Sequence, residues 1–305
     1  MATNKNGYAV VVHGGVGEPL HYTDGCKAAA DAAQDRLQAG KDALDAAVAA
    51  VVSLENDGRF NAGTGAVLAL DGETINLDGC VMDSRGTLGI VSSIKFVKNP
   101  VLVARDVARS PHVALACDGA TQFARVMGHR FYYQPTEESR KQHCEMIDQV
   151  KKHEVINQIN GEEYEKYWNF VVPKGFAREN GCGSDTVGAV VRDEDGNFAV
   201  AGSTGGTSPA LLGRIGDTAM MGSGFYAGPL GAIAATGIGE EIIRNLLAFR
   251  VYSWIEAGMP LQEALEKGIG LFDKGIDVGL IAVTRTEAAS HSNKPMPQAK
   301  VIQHG

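Results

Sequence analysis

Residues 181–206 read GCGSDTVGAVVRDEDGNFAVAGSTGG. Two apolar runs, Thr186 to Arg192 and Asn197 to Ser203, flank Asp195-Gly196, a dipeptide that tolerates the positive φ angles of a tight β-hairpin turn. The spacing predicts a buried hairpin whose first strand opens on Thr186. The preceding residues, Glu179-Asn180-Gly181-Cys182-Gly183-Ser184-Asp185, read as a loop. A threonine hydroxyl is a poor nucleophile until a base sits beside it, and the residue's own free α-amine, with a pKa of about 8, is such a base. Cutting the chain between Asp185 and Thr186 creates that amine. A threonine opening a strand also serves β-propensity and packing alone, so the surrounding sequence has to decide.

The chain has 305 residues, 44% of them hydrophobic, enough for a substantial core. Its 38 glycines fall mostly in short groups between apolar runs, marking turns and close backbone approaches. A net charge of −8 without a dense basic patch opposes nucleic acid as a partner. The polar start, Met1 to Gly7, carries neither a secretory apolar region nor a membrane span, so no membrane partner and a cytoplasmic location are expected. Cys26, Cys80, Cys117, Cys144 and Cys182 are scattered and odd in number, which points to reduced thiols; the eight histidines show no metal-binding array.

Tyr8 to Val12 reads as a buried strand ending in His13-Gly14-Gly15-Val16-Gly17, where Pro19 and Leu20 replace the continuation a dinucleotide fingerprint needs. His13 is expected to pack or fix the loop. Asp24 to Gln38 and Asp42 to Leu54 have helical period, with Asp42 as an N-cap. Ala66 to Leu70 and Glu73 to Leu77 flank Asp71-Gly72 and are expected to form another hairpin. Gly89 to Val97 and Val113 to Ala116 read as strands; Pro100 to Arg109, with proline in its first turn, and Gly119 to Met127 read as helices. From about 134 to 185 the chain turns polar and reads as a solvated helix or connector. Beyond the hairpin, Asp217 to Met221, Gly231 to Ala235 and Val278 to Thr284 read as strands, the last being the final one expected; Glu240 to Ala257 and Leu261 to Lys274 read as helices.

Four glycine-rich segments carry chemistry: Ser203-Thr204-Gly205-Gly206, Gly213-Arg214-Ile215-Gly216-Asp217, Gly222-Ser223-Gly224-Phe225-Tyr226-Ala227 and Thr236-Gly237-Ile238-Gly239-Glu240. Arg214 with Asp217 can hold the carboxylate and ammonium of an amino-acid head group, or form an ordinary surface ion pair. Thr236 with the Gly237 N–H can stabilise an oxyanion, or Thr236 can simply pack in a strand. Asn61 in Asn61-Ala62-Gly63-Thr64-Gly65 can equally cap a turn.

Together with Met82-Asp83 and Asp185-Thr186-Val187-Gly188-Ala189-Val190, these segments resemble, over nearly the whole chain, the threonine-type (plant-type) L-asparaginase and isoaspartyl peptidase family of N-terminal-nucleophile hydrolases. The resemblance implies an α+β, four-layer αββα sandwich as a single domain. It implies autocleavage at Asp185-Thr186 into an α subunit, 1–185, and a β subunit, 186–305, assembled as (αβ)2. Thr186 becomes the nucleophile, Thr204 hydrogen-bonds its hydroxyl, and Asn61 orients its amine. Thr236 and Gly237 stabilise the oxyanion; Arg214 holds the substrate carboxylate, and Asp217 with the Gly239 carbonyl holds the amine. Leu54 to Thr64 resembles a sodium-binding loop, with backbone carbonyls of Leu54, Glu55, Asp57, Phe60, Ala62 and Thr64 as ligands; no cofactor is implied for catalysis. The implied substrates are L-asparagine and β-aspartyl dipeptides, cleaved through an aspartyl ester on Thr186. Two departures stand out: Thr207-Ser208-Pro209-Ala210 where many relatives have an Asn-Lys pair, and Asp185 where many have Gly, Asp being the residue of the glycosylasparaginase branch. A glycosylasparaginase-like amidase and an uncleaved amino-acid-binding protein are the alternative readings.

Overall fold

The computed structural model describes residues 7–156, 159–169 and 186–305. The chain opens with strand β1 (Ala9–His13), helices α1 (Thr23–Gln38) and α2 (Ala43–Asn56), strands β2 (Leu77–Asp83) and β3 (Leu88–Ile94), α3 (Pro100–Val107), β4 (Ala114–Ala116) and α4 (Cys117–Val126). There follow α5 (Glu137–Lys151), the short pair β5 (Val155–Ile156) and β6 (Ile159–Asn160), and α6 (Gly161–Lys166). After residue 186 come β7 (Val187–Arg192), β8 (Phe198–Thr204), β9 (Phe225–Gly228), β10 (Gly231–Gly237), α7 (Gly239–Asn245), α8 (Leu247–Glu256), α9 (Leu261–Ile269), β11 (Val278–Thr284), β12 (Ala288–Ser292) and β13 (Gln298–Ile302).

The result is an α+β fold with a seven-stranded sheet ordered β13-β1-β7-β8-β2-β3-β4, a four-stranded sheet ordered β12-β11-β10-β9, and the two-stranded β5-β6. The Asp195-Gly196 hairpin forms with Arg192 opposite Phe198 and Val187 opposite Ser203. Its turn is closed by Asp193, which accepts the Asn197 N–H at 2.8 Å, and is pinned to the start of α2 by the Ala43 N–H, 3.1 Å from Asp193 Oδ2.

Strand alternation assigns each face. Val187, Ala189 and Val191 of β7 pack with α1 and α2, whereas Val190, with Phe198 and Val200 of β8, packs against Phe225, Ala232, Ala234 and Ile281 of the second sheet. The second sheet's other face, with Ile233, Ala235 and Leu280, meets Ile242, Val251 and Leu265 of α7, α8 and α9. Asp42 caps α2 by accepting the Asp45 N–H at 2.9 Å, and Pro100 opens α3. No helix among the described residues is long and apolar enough to cross a membrane. Cys26, Cys80, Cys117 and Cys144 are free; Cys182 lies outside the described residues.

Several sequence expectations change. The Asp71-Gly72 turn exists, but Ala66 to Leu70 and Glu73 to Asn76 are not strands. Side chains take their backbone groups instead: Asn61 accepts the Val67 N–H, and Ser139 and His143 of α5 bond the Ala66 and Leu70 carbonyls. Helix α5 is therefore not a freely solvated connector, since Met146, Ile147 and Val150 pack with Leu70. The expected helix from Glu240 to Ala257 breaks at Leu246, φ 47°, because the first N–H groups of α8 turn to the Ser223 and Gly222 carbonyls. Asp217–Ala219 is a 3-10 turn rather than a strand. Strands β12 and β13 follow the strand expected to be last; they are half-exposed and lack an apolar run.

The β3–α3 contact depends on Gly89: a Cβ there lies 2.0 Å from the Ala104 carbonyl oxygen and 2.8 Å from Ala108 Cβ. Gly89→Ala is expected to lower the unfolding free energy by about 3 kcal/mol in denaturant melts, the upper end of ordinary overpacking. A loss below about 1 kcal/mol would show that α3 moves aside freely.

Candidate active site

Thr186 has the parity of Gly188 and Val190, so its side chain faces the seam between the two sheets. Thr204 has the parity of Phe198 and Val200 and enters the same seam from the neighbouring strand. Thr236 follows Ala232 and Ala234 on β10 and enters from the opposite sheet. All three are buried. The Thr236 hydroxyl donates to the Thr186 carbonyl at 3.5 Å and accepts the Val16 N–H at 3.4 Å, tying the loop after β1 to Thr186.

The Thr186 hydroxyl meets the 3-10 turn that follows Arg214. Thr186 Oγ1 lies 3.1 Å from Thr218 Oγ1. Thr204 Oγ1 accepts the Gly206 N–H at 2.9 Å, a contact within its own loop. Asn61 likewise ties loops together, donating from Nδ2 to the Gly206 carbonyl at 2.7 Å and accepting the Val67 N–H at 3.0 Å. Neither contact involves residue 186. Asp185 lies outside the described residues.

Arg214 and Asp217 are not a surface pair. The guanidinium forks onto Glu240, with Nε to Oε1 and Nη2 to Oε2 both at 2.9 Å. Burial pushes the Glu240 carboxyl up, but Arg214 more than offsets this and holds it below its ordinary value. Asp217 is 3% exposed, and its Oδ2 has no partner among the described residues. Burial pushes its carboxyl up, Arg214 opposes this only in part, and it ends at about 7. Asp78 stands near the same guanidinium, accepting the Ser92 hydroxyl at 3.0 Å and the Ser93 N–H at 2.8 Å. Glycines allow this crowding: a Cβ on Gly239 would lie 2.8 Å from Arg214 Nη2 and 2.9 Å from Asp217 Oδ1, and one on Gly224 would lie 2.9 Å from Asp217 Oδ2. Gly237 has φ +138°, and a Cβ there would lie 2.1 Å from the Asp277 carbonyl oxygen.

Thr186, Thr204, Arg214, Asp217, Thr218, Gly237, Gly239 and Glu240 line one pocket of about 20 Å³, room for a single water at most. Across Gly237 and Ile238 lies a cavity of about 590 Å³ whose walls include Glu18, Tyr22, Arg59, Asn61 and Glu138. Ser208 lines this cavity, whereas Pro209 to Leu212 line another, of about 570 Å³, beside Arg214. His13 is buried and neutral, its imidazole pushed down to about 3 by burial. It packs where a Gly188 Cβ would sit, as its packing role requires.

In the 54–64 loop, the Leu54, Asp57, Phe60 and Ala62 carbonyls each accept one backbone N–H, leaving a second lone pair. Gly63 lies against the carbonyls of Glu55 and Lys98, and Gly65 against those of Phe60 and Gly58. Such a set of oxygens suits a hard cation. No group of three or more His, Cys, Asp or Glu side chains that could hold a metal occurs among the described residues.

Sequence reasoning gave no role to Thr218, Glu240 or Asp78. Glu240 had a signal, a carboxylate closing the Thr236 segment; Thr218 and Asp78 had none beyond their chain neighbours.

The site and its two sheets define a protein built around a buried threonine and a small charged pocket. The model of the asparaginase family matches residues 6–303, and the chain belongs to that family. It is 36% identical over 306 residues to the isoaspartyl peptidase/L-asparaginase of Macaca fascicularis, covering 95% of this chain and 92% of that protein. It is 38% identical over 276 residues to the plant-type L-asparaginase of Pyrococcus abyssi, covering 87% and 85%. To the plant-type L-asparaginase of Pyrobaculum calidifontis it is 36% identical over 274 residues, covering 85% and 84%.

The unpaired Asp217 carboxylate gives a stability prediction. Its folded pKa, about 7, exceeds the ordinary 3.8, so its contribution is most favourable below about pH 4 and is lost as pH rises towards 7. Asp217→Asn removes that penalty and is expected to raise the Tm of the uncut chain by a few degrees at pH 8 and hardly at pH 4. An equal Tm change at both pH values would exclude a charging penalty.

Proposed function

We propose that this chain cuts itself before Thr186 and then hydrolyses the β-aspartyl amide bond of L-asparagine and of isoaspartyl dipeptides. The observation that carries the reading is that Thr186 shares one pocket with Arg214, Asp217 and Gly237, while the Thr236 hydroxyl bonds the Thr186 carbonyl. The family and the names of its relatives support the same chemistry. The three successive apolar clusters, helix on sheet, sheet on sheet and sheet on helix, support a four-layer αββα sandwich. The matured form is then an α subunit of residues 1–185 and a β subunit of residues 186–305, paired as (αβ)2.

In maturation the Thr186 oxygen bonds to the carbonyl carbon of residue 185, the bond from that carbon to the Thr186 nitrogen breaks, and the hydroxyl proton ends on that nitrogen. Water hydrolyses the resulting ester. The free amine then serves as the base for the same hydroxyl. Substrate binding requires the closed pocket to open and Arg214 to exchange Glu240 for the substrate carboxylate. Asp217 and the Gly239 carbonyl take the ammonium, an assignment that gives the unpartnered Asp217 oxygen a cation. Thr186 attacks the side-chain carbonyl, Thr236 and the Gly237 N–H steady the oxyanion, the amine leaves towards the larger cavity, and water releases aspartate. Thr204 contributes a hydroxyl at the nucleophile once the chain is cut, and Asn61 holds the loop bearing it. The 54–64 carbonyls hold a structural sodium ion.

Intact mass and product release test this together. The purified parent chain is expected to give two fragments divided between Asp185 and Thr186 and to release ammonia from asparagine and aspartate from a β-aspartyl dipeptide. Thr186→Ala is expected to remain at 32.2 kDa and to lose at least about 10⁴-fold in turnover. Arg214→Lys is expected to raise KM roughly 10- to 100-fold, since lysine cannot fork onto a carboxylate. As pH falls, kcat/KM should drop more steeply than one ionisation allows, because protonating the amine below about 8 and Asp217 below about 7 both disable the site. A chain that never cuts yet binds asparagine would replace the enzyme with a binding protein; release of amino sugar from glycosylated asparagine with inert dipeptides would replace the substrate.

The cation has its own test. Replacing choline chloride by sodium chloride at equal ionic strength is expected to raise Tm, since a ligand of the folded state stabilises by mass action. An unchanged Tm up to high sodium would remove the ion.

A further inference from the structure

Thr218 makes a contact that none of the roles above explains. It sits in the 3-10 turn Asp217–Ala219, is 2% exposed, and places Oγ1 3.1 Å from Thr186 Oγ1. Its methyl carbon faces Gly202, where a Cβ would lie 3.5 Å away, and the turn is closed by the Met220 N–H on the Asp217 carbonyl at 2.8 Å. Packing and backbone therefore both fix this side chain. Thr204 holds its own loop through Gly206.

We propose that Thr218 is a positioning residue for self-cleavage, accepting the Thr186 hydroxyl hydrogen in the uncut chain. The proposal rests on the reading of Thr186 as nucleophile. A hydroxyl has one hydrogen and two lone pairs. To attack the preceding carbonyl, Thr186 must aim a lone pair at that carbon, with its hydrogen directed elsewhere. Before cleavage the Thr186 nitrogen is an amide and offers no lone pair for the hydrogen, so another oxygen has to take it. Among the described residues, Thr218 Oγ1 is a hydroxyl within reach, at 3.1 Å. It holds the hydrogen aside until the bond to the Thr186 nitrogen breaks and that nitrogen takes the proton. After cleavage the free amine accepts the hydrogen itself, and the need for Thr218 falls away. The hydroxyl of Thr218 and its placement are thus required at one stage of the protein's life more than at the other.

Removing one neutral hydrogen bond of this kind is expected to slow cleavage about tenfold. Chains made by cell-free translation and quenched at intervals would be followed by intact mass. Thr218→Val keeps the shape and deletes the hydroxyl; Thr218→Ala deletes it without the filling methyl; Thr218→Ser retains it. The valine and alanine chains should cut about tenfold more slowly, and the serine chain near the parent rate. Once fully cut, the valine protein should lose much less in kcat on asparagine than it lost in cleavage rate. Cleavage of the valine chain at the parent rate, slowing of the serine chain to match valine, or a kcat loss equal to the cleavage loss would each overturn the proposal. With Thr186→Ala inert, such results leave the nucleophile in place and remove only Thr218; cutting of the Thr186→Ala chain would remove both.

Discussion

The pairing of Val187 with Ser203 is the constraint on which the site depends. A strand turns successive side chains to opposite faces, so a slip of one residue in this pair would send Thr186 to the helix side and leave Val187 facing the second sheet. The apolar clusters on both faces of β7 resist that slip: Val187, Ala189 and Val191 fill the helix side, and Val190 fills the space between sheets. The turn adds a lock, because Asp193 both closes the hairpin and receives the Ala43 N–H from α2. The same pleat brings in Thr204, and β10 delivers Thr236 from the facing sheet. Thr186 just ahead of β7, Thr204 on β8 and Thr236 on β10 converge because the two sheets are stacked.

Electrostatics works against stability in the same seam. Asp78, Asp217 and Glu240 surround one guanidinium, and only Glu240 is hydrogen-bonded to it. The result is a buried site that favours an added cation and leaves one carboxylate oxygen unpartnered. Burying such a group costs stability unless it is paired, and proteins bear such costs where they serve binding. The glycines at 224, 237 and 239 make room for the arrangement, at positions where a side chain would displace a carboxylate, a guanidinium or a carbonyl. The pocket these groups line is nearly filled, with about 20 Å³ left.

Much of this was legible in the sequence because it rests on local rules. The hairpin follows from Asp-Gly between apolar runs, the α2 boundary from Asp42 as a cap, the α3 start from Pro100. The grouping of Arg214, Asp217, Thr236 and Gly237 with Thr186 was implied by the family resemblance rather than by any local rule. What was not legible depended on partners distant in sequence. Ala66 to Leu70 looks like a strand, but α5 and Asn61 take its backbone groups. The break at Leu246 arises because the 222–223 loop captures the first N–H groups of α8. Strands β12 and β13 lie at sheet edges, are partly exposed and carry no continuous apolar run. Arg214 turns to Glu240 rather than Asp217, and Thr186 also meets Thr218, choices set by side-chain direction that spacing does not encode.

The central claim is that Thr186 is the atom source of catalysis. The most direct measurement is to quench the matured enzyme in acid during turnover of a β-aspartyl substrate and to weigh and sequence its fragments. The account predicts a mass increment of one aspartyl group on the fragment that begins at Thr186, located on that residue. Turnover with the increment on another residue, or with no covalent adduct at any quench time under burst conditions, would contradict it.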